Sequence, residues 1–125
     1  MAPRHNQVCG TAGEELASIW LSAHGFRVVA RNVRTPYGEL DILAERRGEL
    51  HVIEVKTRTG TGYGTPFEAI DARKQEHLRK ATLSILASGV PGMTARPVSI
   101  HIDGLAILMC VGSAPCIELL EDMLA

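Results

Sequence analysis

The spacing of apolar residues along this chain changes period several times, and each change marks an element. From Thr11 to about His24, Ala12, Leu16, Ala17, Ile19, Trp20, Leu21 and Ala23 fall on one broad arc when residues are set about 100° apart, the signature of an amphipathic helix. Thr11 can cap this helix, with Glu14 three residues on as in a capping box, and Gly25 follows as a stop. Glu14 lies at the edge of the arc, where it can face protein or ligand, whereas Glu15, Ser18 and Ser22 occupy the wet side. Residues 1–10 show no period and read as a flexible arm.

The period then shortens to that of strands. Phe26 to Asn32 reads as a first strand, Pro36 and Gly38 punctuate a turn, and Glu39 to Ala44 reads as a second. Leu50 to Thr57 is a third, joined to the second by a hairpin loop with Arg47-Gly48 as its turn residues. That turn fixes a register in which facing positions sum to 95, so Asp41 faces Glu54 and Glu39 faces Lys56. Val52, Ile53 and Val55 are apolar on both faces, which marks the third strand as central.

A Gly/Thr loop from Thr59 to Thr65 leads through Pro66 to a second helix, Phe67 to Ala87, closed by Gly89. Its stripe of Phe67, Ile70, Leu78, Ala81 and Ile85 is interrupted by Lys74. Beyond a Pro/Gly-rich connection, Val98 to Ile102 and Leu105 to Val111 read as a fourth and a fifth strand, and Ile117 to Leu124 as a short closing helix. No internal repeat is present, and 125 residues with 46% hydrophobic content suit a single domain spanning residues 1–125.

Thirteen Lys+Arg against fourteen Asp+Glu give a net charge of −1, so bulk charge does not argue for a nucleic-acid binder and any phosphate affinity must come from local clusters. Basic residues do cluster at Arg27, Arg31 and Arg34, at Lys56 and Arg58, and at Arg73, Lys74, Arg79 and Lys80. Cys9, Cys110 and Cys116 have neither disulfide-framework nor zinc spacing and suit a reducing compartment. No segment nears the roughly 20 apolar residues of a membrane span, and a cytoplasmic protein without a membrane partner is expected. The Gly/Thr loop lacks the Gly-Lys-Ser/Thr ending of a P-loop, and His5, His24, His51, His77 and His101 show no ligand or triad spacing.

The chemistry-bearing pattern is on the second and third strands. Glu54 and Lys56 share one face by alternation, and the hairpin brings Asp41 beside them. Like charges facing each other destabilise a sheet, so an Asp41–Glu54 pair calls for a cation. Mg²⁺, or Mn²⁺, is the expected occupant, since a hard ion is commonly held by one or two carboxylates and completes its shell with water and phosphate. Lys56 could then orient a water and offset charge on a phosphate. The plain structural alternative is a solvated strand face with an ordinary Glu39–Lys56 ion pair.

Gly13-Glu14, Gly25-Phe26, Gly38-Glu39-Leu40-Asp41, Ile53-Glu54-Val55-Lys56-Thr57-Arg58, Tyr63-Gly64 and Lys74 together resemble the YraN-like family of small bacterial proteins, itself similar to archaeal Holliday-junction resolvases of the PD-(D/E)XK nuclease superfamily. Leu40 stands where that motif's name has Pro. The resemblance implies an α/β (α+β), restriction-endonuclease-like α-β-β-β-α-β core with a mixed central sheet flanked by helices. By position it implies Asp41 and Glu54 as metal ligands with catalytic roles, Glu14 as the helical acidic residue assisting the metal, Lys56 as the catalytic lysine, and Lys74 and Arg58 as nucleic-acid contacts. The expectation is a metal-dependent endonuclease on DNA, with branched or damaged DNA as candidate substrate and dimerisation as a way to enlarge the basic surface. The alternative is a non-catalytic nucleic-acid-binding module on the same fold.

Overall fold

The computed structural model describes residues 5–59, 71–110 and 112–124, with side chains from residue 12 onward. Helix α1 (His5–Ala23) precedes strands β1 (Arg27–Thr35), β2 (Gly38–Arg46) and β3 (Glu49–Thr59), and then come α2 (Ala72–Ser88), β4 (Ser99–Met109) and β5 (Cys116–Leu120). The fold is α+β, a mixed five-stranded sheet in the order β1-β2-β3-β4-β5 flanked by two helices. Neighbouring strands are antiparallel except β3 and β4, which run parallel because the connection through α2 returns the chain to the same end of the sheet.

The hairpin register is set by turn chemistry. Arg47 and Gly48 both have positive φ, 57° and 78°, as the favoured two-residue hairpin turn demands. The Glu45 carboxylate accepts the Gly48 N–H at 3.1 Å and holds the turn closed. From it run Arg46↔Glu49, Glu45↔Leu50, Ala44↔His51, Leu43↔Val52 and Ile42↔Ile53, the expected register. β3 is the central strand, again as expected.

Each face of the sheet buries its own cluster. Ala17 and Leu21 of α1 pack with Phe26, Ile42, Ala44, Ile53, Leu105 and Ile107. Leu78, Ala81 and Ile85 of α2 pack with Leu40, Leu43, Leu50, Val52 and Val90. Asp71 caps α2, its side chain accepting the Lys74 N–H at 2.8 Å, and Gly89 ends it. The expected helix start at Phe67, the stripe residues Phe67 and Ile70, and most of the Gly/Thr loop lie outside the described residues.

Three expectations need correction. α1 begins at His5, six residues before Thr11, so residues 5–10 expected in the arm are helical. The expected fourth and fifth strands are one, β4, with Asp103 and Gly104 paired to Ile53 and Glu54 in its middle. Asp-Gly reads as a break in sequence, but here the Asp103 carboxylate is fully satisfied inside the protein, which removes the cost of a polar group in a strand interior. The segment expected as a closing helix forms edge strand β5, with Ile117 and Leu119 against the α1-side cluster. A five-residue run is too short for its apolar spacing to separate strand from helix.

Candidate active site

β2 and β3 are laddered only as far as Ile42↔Ile53. Beyond that pair β2 stays with β1 to Thr35↔Gly38, while β3 stays with β4 to Thr59↔Met109. The central sheet therefore forks at Asp41 and Glu54. Asp41 secures the fork, its Oδ2 accepting the Val55 N–H at 2.9 Å. The expected facing of Glu39 and Lys56 does not form, because the strands have parted before reaching it. The Glu39 carboxylate lies instead 3.1 Å from the Asn32 amide, which donates to it once its nitrogen is turned that way, and the Lys56 amine lies 3.9 Å from Glu54.

Glu54 is 5% exposed and draws two ammonium groups, Lys74 Nζ at 3.3 Å from α2 and Lys56 Nζ at 3.9 Å from its own strand. Lys74, which broke the apolar stripe of its helix in the sequence, is thus an ion-pair partner of the buried carboxylate. Arg58, exposed, follows on the same side of β3 by alternation. Burial first, then the Glu54 charge, pushes the Asp41 carboxyl up from 3.8 to about 7; Glu14 adds to the rise, while the Val55 N–H and Lys74 oppose it. Two carboxylates that disfavour each other's charge beside half-exposed lysines form a donor set suited to a hard divalent cation.

Glu14 reaches this group because α1 runs very close to β3. A Cβ on Gly13 would collide with the Thr57 hydroxyl. With its amide nitrogen turned toward them, the orientation that satisfies both ends of the amide, Asn32 ties Glu14 to Glu39, donating at 3.0 and 3.1 Å from a residue in the left-handed region, φ 52°. Helix propensity alone would make Gly13→Ala stabilising by about 1 kcal/mol. The collision should outweigh this and give a net loss of roughly 1–2 kcal/mol in urea unfolding, reversing to neutral or stabilising when Thr57 is also replaced by Ala. An equal loss in the Thr57→Ala background would contradict the close approach.

The structure also assembles a group that the sequence did not reveal. Glu49, His51 and His101 bring one potential ligand atom each to within 4.8 Å of one another. The histidines show no ligand spacing along the chain, yet two of them meet in space. The only signal was Glu49-x-His51 and His101-x-Asp103, which become neighbours through the parallel β3–β4 register, His51↔His101.

Sheet, fork and acidic pair define an α+β protein of three layers, helix, sheet and helix, with a carboxylate–lysine cluster at the split of its central strands. The chain belongs to the uncharacterised protein family UPF0102, whose pattern matches residues 13–107, in agreement with the YraN-like resemblance. A UPF0102 protein of Symbiobacterium thermophilum is 49% identical over 78 residues, 62% of this chain and 66% of that one. A UPF0102 protein of Nocardia farcinica is 39% identical over 92% of this chain and 87% of its own, and one of Rhodococcus opacus 36% identical over 94% and 97%. Among solved structures, Pyrococcus furiosus SfsA in complex with Ca²⁺ is similar with a TM-score of 0.43 and 16% identity, covering 93% of this chain and 63% of that one. Among the described residues, no helix is long and apolar enough to cross a membrane.

Proposed function

We propose that the chain is a metal-dependent endonuclease that hydrolyses phosphodiester bonds in DNA, with branched or damaged DNA as substrate. The observation that carries the reading is the fork: two acidic side chains where the strands part, Glu54 buried beside two lysine amines and Asp41 with its carboxyl raised to about 7, in part by the Glu54 charge. Asp41 and Glu54 would hold Mg²⁺ or Mn²⁺, a Lewis acid that polarises a phosphoryl oxygen and eases deprotonation of the attacking water.

The chain's own residues do the rest. Glu54, desolvated and flanked by lysines, keeps its position without spending side-chain freedom on binding. Lys56, anchored toward Glu54 yet half-exposed, holds its amine where a water or a phosphate oxygen can meet it. Lys74 and Arg58 add positive charge on the same side for the nucleic-acid backbone. Glu14, tied by Asn32, keeps the field at Asp41 negative when no cation is present and favours a cation over a bare proton-free pair.

The test is cleavage of branched and single-stranded DNA with Mg²⁺ or Mn²⁺. The wild type is expected to cut, Glu54→Gln and Lys56→Ala each to lose at least about 100-fold in rate, and both to unfold cooperatively as the wild type does. Salt-dependent DNA binding with no cleavage under any divalent cation would replace this reading with that of a binding module.

A further inference from the structure

We propose a second metal site, for Zn²⁺, formed by Glu49, His51 and His101. It lies on the opposite face of β3 from Glu54, since positions 49 and 51 alternate with 54, and toward the opposite end of the strand.

Each histidine has a carboxylate at its Nδ1. The His51 Nδ1 lies 2.6 Å from Asp103 Oδ2, and the His101 Nδ1 lies 2.6 Å from Asp122 Oδ1. At His51 this places the imidazole proton on Nδ1 and leaves Nε2 with a free lone pair, the arrangement typical of zinc-ligating histidine, whereas at His101 an ion would take over the Nε2 that Glu49 and Ser99 now approach at 3.4 and 3.3 Å. The two carboxylates are themselves linked, Asp103 Oδ1 accepting the Asp122 N–H at 2.8 Å. Ser99 holds the third ligand, its hydroxyl donating to Glu49 Oε1 at 2.8 Å.

The independent sign of a ligand is His51 Nε2. The His51 side chain is 3% exposed, yet its Nε2 is buried without a hydrogen-bond partner. Such an orphan costs on the order of 1–3 kcal/mol, a cost that a cation accepting its lone pair would remove. Its surroundings leave that role open. The His51 and His101 rings stack at 4.6 Å and 14°, and Phe26 closes the side of His51 edge-on at 4.9 Å. The nearby Arg46 guanidinium sits over Phe26, with its charge engaged by Glu121 at 3.0 Å. The His101 Nε2 faces Glu49 Oε1 at 3.4 Å.

Two imidazoles and one carboxylate select a borderline transition metal over Mg²⁺, and three protein ligands leave a fourth position for water. The ion would clamp β3 to β4 and, through Asp103 and Asp122, fix the turn after β5. Its role is therefore to stabilise the half of the sheet that the fork leaves intact.

Tag-free, chelator-stripped protein should take up one Co²⁺ with the intense visible absorption of tetrahedral nitrogen and oxygen ligation, and Zn²⁺ should displace it and raise the melting temperature. Because His51 is deep in the core, the test variants are the more exposed ligands. His101→Gln and Glu49→Gln should each weaken Zn²⁺ binding at least about 100-fold, and Asp122→Asn by roughly 10–100-fold. Asp41→Asn should leave Zn²⁺ affinity unchanged, which separates this site from the fork. The proposal is overturned if the stripped wild type binds no Zn²⁺, if binding survives both His101→Gln and Glu49→Gln, or if it disappears with Asp41→Asn.

Discussion

Replacing Asp41 by Asn is expected to reduce metal-dependent cleavage by about 10³-fold, the worth of several kcal/mol of metal-supplied charge stabilisation, while making the metal-free protein more stable above neutral pH. The second effect follows from linkage. The folded Asp41 carboxyl titrates at about 7 and the unfolded one near 3.8, so the folded chain holds the extra proton between these values. Asp41 therefore does not reduce stability below the lower value. Stability falls as pH rises through the window and stays reduced above about 7. Asn keeps an oxygen for the Val55 N–H but carries no charge to bury or to oppose Glu54. Near pH 8 the variant should gain roughly 2 kcal/mol over the metal-free wild type, allowing for solvent screening at a half-buried site, and lose the slope between pH about 4 and 7. Denaturant unfolding across pH, with and without Mg²⁺, measures both. A variant less stable than the wild type at high pH would show that the carboxylate is not held at a cost.

The second large effect concerns the other end of β3. Asp103 is fully buried, bonded to His51 Nδ1 at 2.6 Å and to the Asp122 N–H at 2.8 Å. Asp103→Ala takes the acceptor from the buried His51 Nδ1 and from the part-buried Asp122 N–H and is expected to cost about 1–3 kcal/mol, the range for leaving a buried donor unpaired. Urea unfolding near neutral pH reads the loss. A change below about 1 kcal/mol, as for a surface pair, would mean that His51 does not depend on Asp103.

These two regions differed in how far the sequence disclosed them. The approach to the fork was within reach because a single local feature, the Arg47-Gly48 turn, fixes the register of two strands joined by a short hairpin as far as Ile42↔Ile53, one step short of Asp41 and Glu54. The pairing of Glu39 with Lys56 was extrapolated from the same register and failed. Nothing local to β2 and β3 reports that each will leave the other for a different neighbour at residue 41, a choice made by β1 and β4. The role of Lys74 was half visible, as a charge that spoils an apolar stripe, but its partner Glu54 is twenty positions away and meets it only through tertiary packing.

The histidine group was hidden for a related reason. His51 and His101 are joined by a parallel pairing whose register depends on the whole crossover through α2, not on a turn. Asp103 was misread as a strand break because its partners are supplied from β3 and from the turn after β5. In both places a polar residue in a strand is satisfied by groups distant in sequence.

The account rests on Asp41 and Glu54 sharing one divalent cation. Crystals soaked in Mn²⁺ and measured at the manganese absorption edge test this directly. An anomalous peak bonded to a carboxylate oxygen of each residue, with Lys56 beside it, is the predicted result. A saturating soak that places Mn²⁺ elsewhere, or leaves those two carboxyl groups turned away from each other with no peak between them, would contradict it.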